Sequence, residues 1–191
     1  MENKKIKLTD LARYKFVIDP RYYFCGWAKS PKILGRQATV RALVKARSYL
    51  PRGYNFKIWD GQRPYEVQLA MMSSIRRRIR LTHPGLSKKE CEKMVLKFGG
   101  SVTKRMKRPD THQNGGSFDL TLVDNRGNEM YMGTDHDDLT EKAATDYFEK
   151  KMKLSLFEKE AKKNRRLLKR IMEKAEFINY APEWWHWSYE K

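Results

Sequence analysis

Long apolar runs are missing from this 191-residue chain: no stretch approaches the ~18 apolar residues that a membrane-crossing helix needs, so no membrane span is expected. The opening residues, MENKKIKLTD, carry no apolar core of the kind an export signal has, and a cytoplasmic location is the expectation. Cysteine is scarce. Cys25 and Cys91 are too few for a disulfide scaffold or a cysteine-rich zinc module, so free thiols are expected. Histidine is scarce too, with four residues: His83, His112, His136 and His186. Acidic residues are in the minority, 23 Asp and Glu against 41 Lys and Arg, which excludes an acidic solvating protein. There is no Cys/His finger, RNP-like run or basic zipper, so nucleic acid is an unlikely partner despite the net charge of +18.

Aromatic residues, at 12%, are plentiful, which argues against a disordered chain. With no repeats and no Ser/Pro-rich linker, residues 1–191 read as one domain with a core of its own. The positive charge is concentrated. Residues 76–108 carry 12 Lys/Arg against Glu90 and Glu92, and residues 149–174 carry 11 against four Glu; together these blocks hold 17 of the 18 net charges. Solvated helix faces are the plain reading of such blocks; electrostatic contact with anionic cell-envelope polymers is the sharper one.

Apolar residues at helical spacing predict helices over 36–50, 65–81 and 150–175, the last with Leu154, Phe157, Ala161, Leu168, Ile171 and Ala175 as its core stripe. Ser87 and Glu90 have the spacing of a capping box, with Leu86 and Cys91 as its apolar staple, and that helix ends near Gly99. NFKIW at 55–59 and SFDLTLV at 117–123 alternate as strands, and EWWHWSY suits a buried strand. Helices and strands mix without a βαβ rhythm. The fold class is α+β, a small antiparallel sheet flanked by helices.

Three segments hold residues able to do chemistry. In D-T-H-Q-N-G-G-S-F-D, Gly115 and Gly116 break any helix between His112 and Asp119, so a turn leads into a strand from which Asp119 projects opposite Phe118 and Leu120. A carboxylate there needs a partner; capping a turn is the plain reading. In E-W-W-H, Glu183 and His186 face opposite ways on a regular strand but meet across a bulge or turn, unless the segment is only a Trp-rich core around a satisfied His. Two His and one carboxylate make a common catalytic zinc set with one position left for water. A nearby Glu that is not a ligand suits proton transfer, and neighbouring tryptophans raise its pKa. In W-D-G-Q-R-P-Y, Arg63 sits at a strand-to-helix junction, either as an anchor or as a fixed cation aimed at a developing oxyanion.

In this order these segments resemble the D-alanyl-D-alanine dipeptidases of the vancomycin-resistance type, within the zinc D-Ala-D-Ala metallopeptidase superfamily. The resemblance rests on Trp59-Asp60-Gly61-Gln62-Arg63-Pro64, on His112, Gly115 and Asp119-Leu120-Thr121-Leu122, on Met132-Gly133-Thr134 followed by Asp137, and on Glu183-Trp184-Trp185-His186. NRRLL at 164–168, followed by Ile171 and Met172, and VIDPRY at 17–22 extend it over roughly residues 16–190. It implies one Zn2+ per chain held by His112, Asp119 and His186, with Glu183 as catalytic base and Arg63 stabilising the tetrahedral oxyanion. It further implies Asp137 gripping the substrate ammonium and Tyr22 helping to close the site. The substrate so implied is a small dipeptide, D-Ala-D-Ala. A D,D-carboxypeptidase or peptidoglycan endopeptidase of the same superfamily is the neighbouring alternative. A basic nucleic-acid or envelope-binding protein with a structural zinc is the alternative from another class. The sequence departs from the family where Ser usually stands two residues before the first zinc His; here it is Asp110, an extra carboxylate that can strengthen the grip on an ammonium. Ser117 replaces the usual Ala, and the segment between Tyr23 and Ile33 is short. These changes leave the zinc set intact and bear on the substrate pocket.

Overall fold

The structure, a computed structural model, describes residues 6–99 and 111–191. In chain order the elements are β1 (Leu8–Asp10), β2 (Val17–Ile18), α1 (Arg21–Phe24), β3 (Leu34–Arg36), α2 (Gln37–Arg47), β4 (Asn55–Asp60), α3 (Tyr65–Thr82) and α4 (Lys88–Gly99). There follow β5 (Ser117–Val123), α5 (Tyr147–Lys150), α6 (Leu156–Lys174), β6 (Ile178–Asn179) and β7 (His186–Ser188). This is an α+β fold. The main sheet has the order β2-β4-β5-β7-β6, and β1 and β3 form a separate antiparallel pair. One expectation needs correcting: the main sheet is mixed, because β2 pairs parallel to β4 at its edge while the other pairings are antiparallel.

Alternation decides what each face of the sheet does. Phe56 and Ile58 on β4 and Phe118, Leu120 and Leu122 on β5 are fully buried, in one cluster with Val40 and Leu43 of α2 and Leu168 and Met172 of α6. The opposite face of β5 carries Asp119 and Thr121. Ladder pairing runs in step from Asn55↔Val123 to Ile58↔Leu120, then shifts, so that Asp60 pairs with Asp119. A bulge of this kind re-aims side chains at a strand end. Asp119 in turn pairs with His186 on β7, so three adjacent strands deliver Asp60, Asp119 and His186 to one place.

Helices α3 and α4 pack on each other around a second cluster of Val67, Met71, Ile75, Ile79, Cys91 and Val95, which also takes in Tyr22. The capping box is present: Ser87 N–H donates to Glu90 Oε2 at 2.9 Å and Glu90 N–H to Ser87 Oγ at 3.3 Å. The helix expected over 150–175 starts later: α5 ends at Lys150 and α6 begins only at Leu156. The backbone is extended at Lys151, and Ser155 starts α6 with a capping box of its own to Glu158. That new start puts Phe157 on the first turn with 71% of its surface exposed, against Tyr131 rather than in the core stripe.

Candidate metal centre and active site

The 3-10 turn His112–Asn114 ends at Gly115, whose φ of +74° and close approach to the Arg36 backbone leave no room for a side chain. That turn aims His112 inward. His112 Nδ1 donates to the Gly61 carbonyl at 2.8 Å and lies 3.1 Å from Asp60 Oδ2, so Nε2 is the nitrogen left to face the site. His186 presents Nδ1, while its Nε2 lies 3.3 Å from Ser188 Oγ, itself 2.8 Å from Ser117 Oγ. Asp119 divides its oxygens. Oδ2 accepts from Arg63 Nη2 at 2.9 Å and lies 3.4 Å from His136 Nε2, whereas the buried Oδ1 has no hydrogen-bond donor.

The three inward atoms form a nearly equilateral triangle. His112 Nε2 to His186 Nδ1 is 3.2 Å, and Asp119 Oδ1 is 3.3 Å from each nitrogen. Bonds of about 2.0–2.1 Å at tetrahedral angles would separate neighbouring ligand atoms by about 3.3–3.4 Å. The residues therefore fit a four-coordinate ion with one position left over, and the orphaned Asp119 Oδ1 is the atom that such an ion would satisfy.

Charge in the site is set by burial and by neighbours. Burial opposes a cationic His112, yet the carboxylates of Asp119 and Asp60 beside it hold it up at about 9 without metal. Burial and the nearby His112 keep His186 below its ordinary value. Glu183 is pushed up to about 8, chiefly by burial, then by Asp119 and Asp137. It reaches His186 through a turn, with His186 N–H donating to the Glu183 carbonyl, and its Oε2 lies 3.8 Å from His186 Nδ1. Arg63 is fixed from four sides: Nε to Asp60 at 2.8 Å, Nη2 to Asp119, and Nη1 to Gln68 at 2.8 Å and Met71 Sδ at 3.3 Å. That leaves one of its five N–H groups uncommitted.

Asp137 lies on the far side of His136. Its carboxylate accepts from Tyr22 Oη at 3.2 Å and lies 3.5 Å from His136 Nε2. The turn before Leu139 is capped by Asp138, which accepts the Thr140 N–H at 2.7 Å, so Asp137 is free of that task. Its φ of +58° is rare for a residue other than glycine. A cleft of about 490 Å3 reaches Asp137 and Glu183, and Leu139, Tyr147 and Tyr180 also line it.

Seven of the eight candidate site residues are thus brought together: His112, Asp119, His186, Glu183, Arg63, Asp137 and Tyr22. Asp110 lies outside the described residues, as does 104–108 of the first basic block. Two participants carried no sequence signal of their role. Asp60 stands inside a quoted motif yet shows its function only through the bulge that faces it to His112 and Arg63. His136 is one of four histidines, set between Asp135 and Asp137 in a segment without periodicity. Parts of the basic blocks also reach the site: Arg78 Nη2 donates to the Asp137 carbonyl at 3.0 Å, and Lys97 and Lys150 line the cleft.

A His/Asp/His set with its first two members buried, beside an uncommitted acid and a fixed guanidinium, defines a metal-dependent hydrolase class of site. A family profile described as D-ala-D-ala dipeptidase matches residues 26–191, and the chain belongs to that family of metallopeptidases. It is similar to a D-alanyl-D-alanine dipeptidase of Synechocystis sp., 27% identical over an alignment of 176 positions that covers 84% of this chain and 70% of the relative. It is also similar to D-alanyl-D-alanine dipeptidases of Enterococcus faecalis, 29% identical over 164 residues, and Enterococcus faecium, 29% identical over 163. In both cases 82% of this chain and 73% of the relative are covered.

Proposed function

We propose that this chain is a single zinc dipeptidase domain that hydrolyses D-Ala-D-Ala to free D-Ala in the cytoplasm. The observation that carries the reading is the 3.2–3.3 Å triangle of His112, Asp119 and His186 with the protonatable Glu183 beside it. Bound to those three residues, zinc would polarise the scissile carbonyl and acidify a water. Glu183 would accept the proton of the attacking water and return it to the leaving amine. Arg63 offers its uncommitted N–H to the oxygen that gains charge, with no reorganisation because Asp60, Asp119 and Gln68 already hold it. Asp137, backed by Tyr22, pairs with the free ammonium of the dipeptide. Trp184 and Trp185, both nearly fully buried, keep bulk water from the wall behind Glu183. No helix among the described residues is long and apolar enough to cross a membrane.

The test is release of D-Ala from D-Ala-D-Ala, from its N-acetylated form and from an acylated tripeptide, each with and without chelator. Chelator-sensitive cleavage of the free dipeptide alone is expected. Equal cleavage of the blocked substrates would make the protein a carboxypeptidase or endopeptidase.

A further inference from the structure

Hydrolysing a free dipeptide needs two charges held at a fixed separation. The scissile carbonyl is one carbon away from the ammonium, so the metal side and the ammonium side of the site must keep register to a fraction of an ångström. The strands fix the metal side. The ammonium side has no such support: Asp137 lies in a segment without regular structure and in the left-handed backbone region. Several contacts hold that segment. Trp184 Nε1 donates to Thr134 Oγ1 at 2.8 Å, Arg165 Nε to the Met132 carbonyl at 2.7 Å, and Arg78 to the Asp137 carbonyl. None of these reaches Asp119.

His136 does. Its Nε2 lies 3.4 Å from Asp119 Oδ2 and 3.5 Å from Asp137 Oδ1. The first is a long hydrogen bond and the second a close polar contact, so the one nitrogen stands between the two carboxylates. Among the described residues it is the side chain that bridges the two carboxylates. Its ring is caged: Trp59 packs on it at 4.9 Å with the planes tilted by 30°, while Trp185 and Tyr22 close in at 5.5 and 5.9 Å. We propose that His136 is a positioning residue that sets the separation between the metal-holding carboxylate of Asp119 and the ammonium-binding carboxylate of Asp137. This rests on the dipeptidase reading above. The consequence is selectivity for a free dipeptide over longer or blocked peptides, exerted by a residue that touches neither metal nor substrate.

His136→Phe keeps a ring in the aromatic cage and removes the nitrogen. His136→Gln restores a donor near the same point, and His136→Asn, too short to span the gap, serves if the Phe variant does not fold. In zinc-loaded His136→Phe, KM for D-Ala-D-Ala should rise at least about tenfold, the loss of a hydrogen bond to one carboxylate and of a close polar contact to the other, with kcat within about threefold and metal content unchanged. His136→Gln should recover most of the KM. In an Asp137→Asn background the Phe change should add little, since the two act as one unit. An unchanged KM in His136→Phe or His136→Asn overturns the proposal. So does a fall in kcat together with metal content that Gln does not rescue, because that would make His136 a support of Asp119 alone. If Asp137→Asn leaves KM unchanged, the ammonium assignment fails and the register with it; wild type inert towards the free dipeptide removes the dipeptidase reading itself.

Discussion

Glu183 shows how one residue is tuned by what surrounds it. Its carboxyl, at about 8 without metal, is neutral near pH 7 because burial outweighs every favourable contact. Glu183→Gln should keep metal and fold and lose about 10²–10⁴-fold in turnover, since an amide cannot accept the water's proton. His186→Ala should instead lose the metal, and elemental analysis of the two variants separates the roles. The same shift has a sign in stability. A raised carboxyl stabilises the fold fully below its unfolded value near 4.5 and loses that contribution as pH climbs towards about 8. Gln does not ionise, so metal-free Glu183→Gln should outlast metal-free wild type by a margin that grows across this range, at most ~1.4 kcal/mol per pH unit. Melting both proteins at pH 5 and pH 8 checks it; a constant difference would place Glu183 in water. His112 gives a companion expectation. Protonated up to about 9 in the metal-free chain, it must release its proton when a metal takes Nε2. Calorimetric zinc titration in buffers of different ionisation enthalpy should count about one proton or more released per ion at neutral pH.

Among the elements, β5 was legible in the sequence and the segment after it was not. SFDLTLV alternates, so the face carrying Asp119 followed from period two alone, and Gly115-Gly116 announced the turn that delivers His112. The capping box at Ser87 was equally readable, because caps are local. The break at 151–155 escaped, since the apolar spacing of 150–175 runs across it and only the Ser155/Glu158 pair marks the restart. Residues 130–145 have no period to read; tertiary contacts define them. Arg165 carries most of that burden. It sits in a basic block that reads as a solvated face, yet it is 3% exposed and donates to the carbonyls of Met132, Ala144 and Lys142 at 2.7–2.8 Å. Burial lowers its pKa to about 10, so it remains charged at neutral pH. Arg165→Met keeps the bulk and strands three carbonyls, which should cost at least ~3 kcal/mol. Urea unfolding would register that loss, and turnover should fall with it because Asp137 rides on the same segment. An unaltered midpoint would show that the loop is held elsewhere.

For the whole molecule the open matter is the charge of +18. Much of it faces solvent: Arg77, Arg80, Lys88, Lys89 and Lys93 on the α3–α4 pair and Lys159, Lys163, Lys169, Arg170 and Lys174 on α6 are exposed. Some cations are already paired, as Arg76 is with Glu92 and Arg166 with Glu149. Fields from such a surface speed the arrival of anions. A free dipeptide is a zwitterion with no net charge, so the same field should neither attract nor repel it appreciably. Reversing Lys88, Lys89, Lys93, Lys163 and Arg170 to Glu should therefore leave kcat/KM for D-Ala-D-Ala within about threefold at physiological salt, where screening acts over ~8 Å. Reversal of Lys97 or Lys150 should have a larger effect, because both line the cleft. Wild-type kcat/KM should likewise vary little between about 0.05 and 0.5 M salt. A steep fall with salt, lost in the five-fold reversal, would mean that the surface gathers an anionic substrate, as an envelope-borne peptide would be, and would move the reading from a dipeptidase to an enzyme of polymer-attached chains.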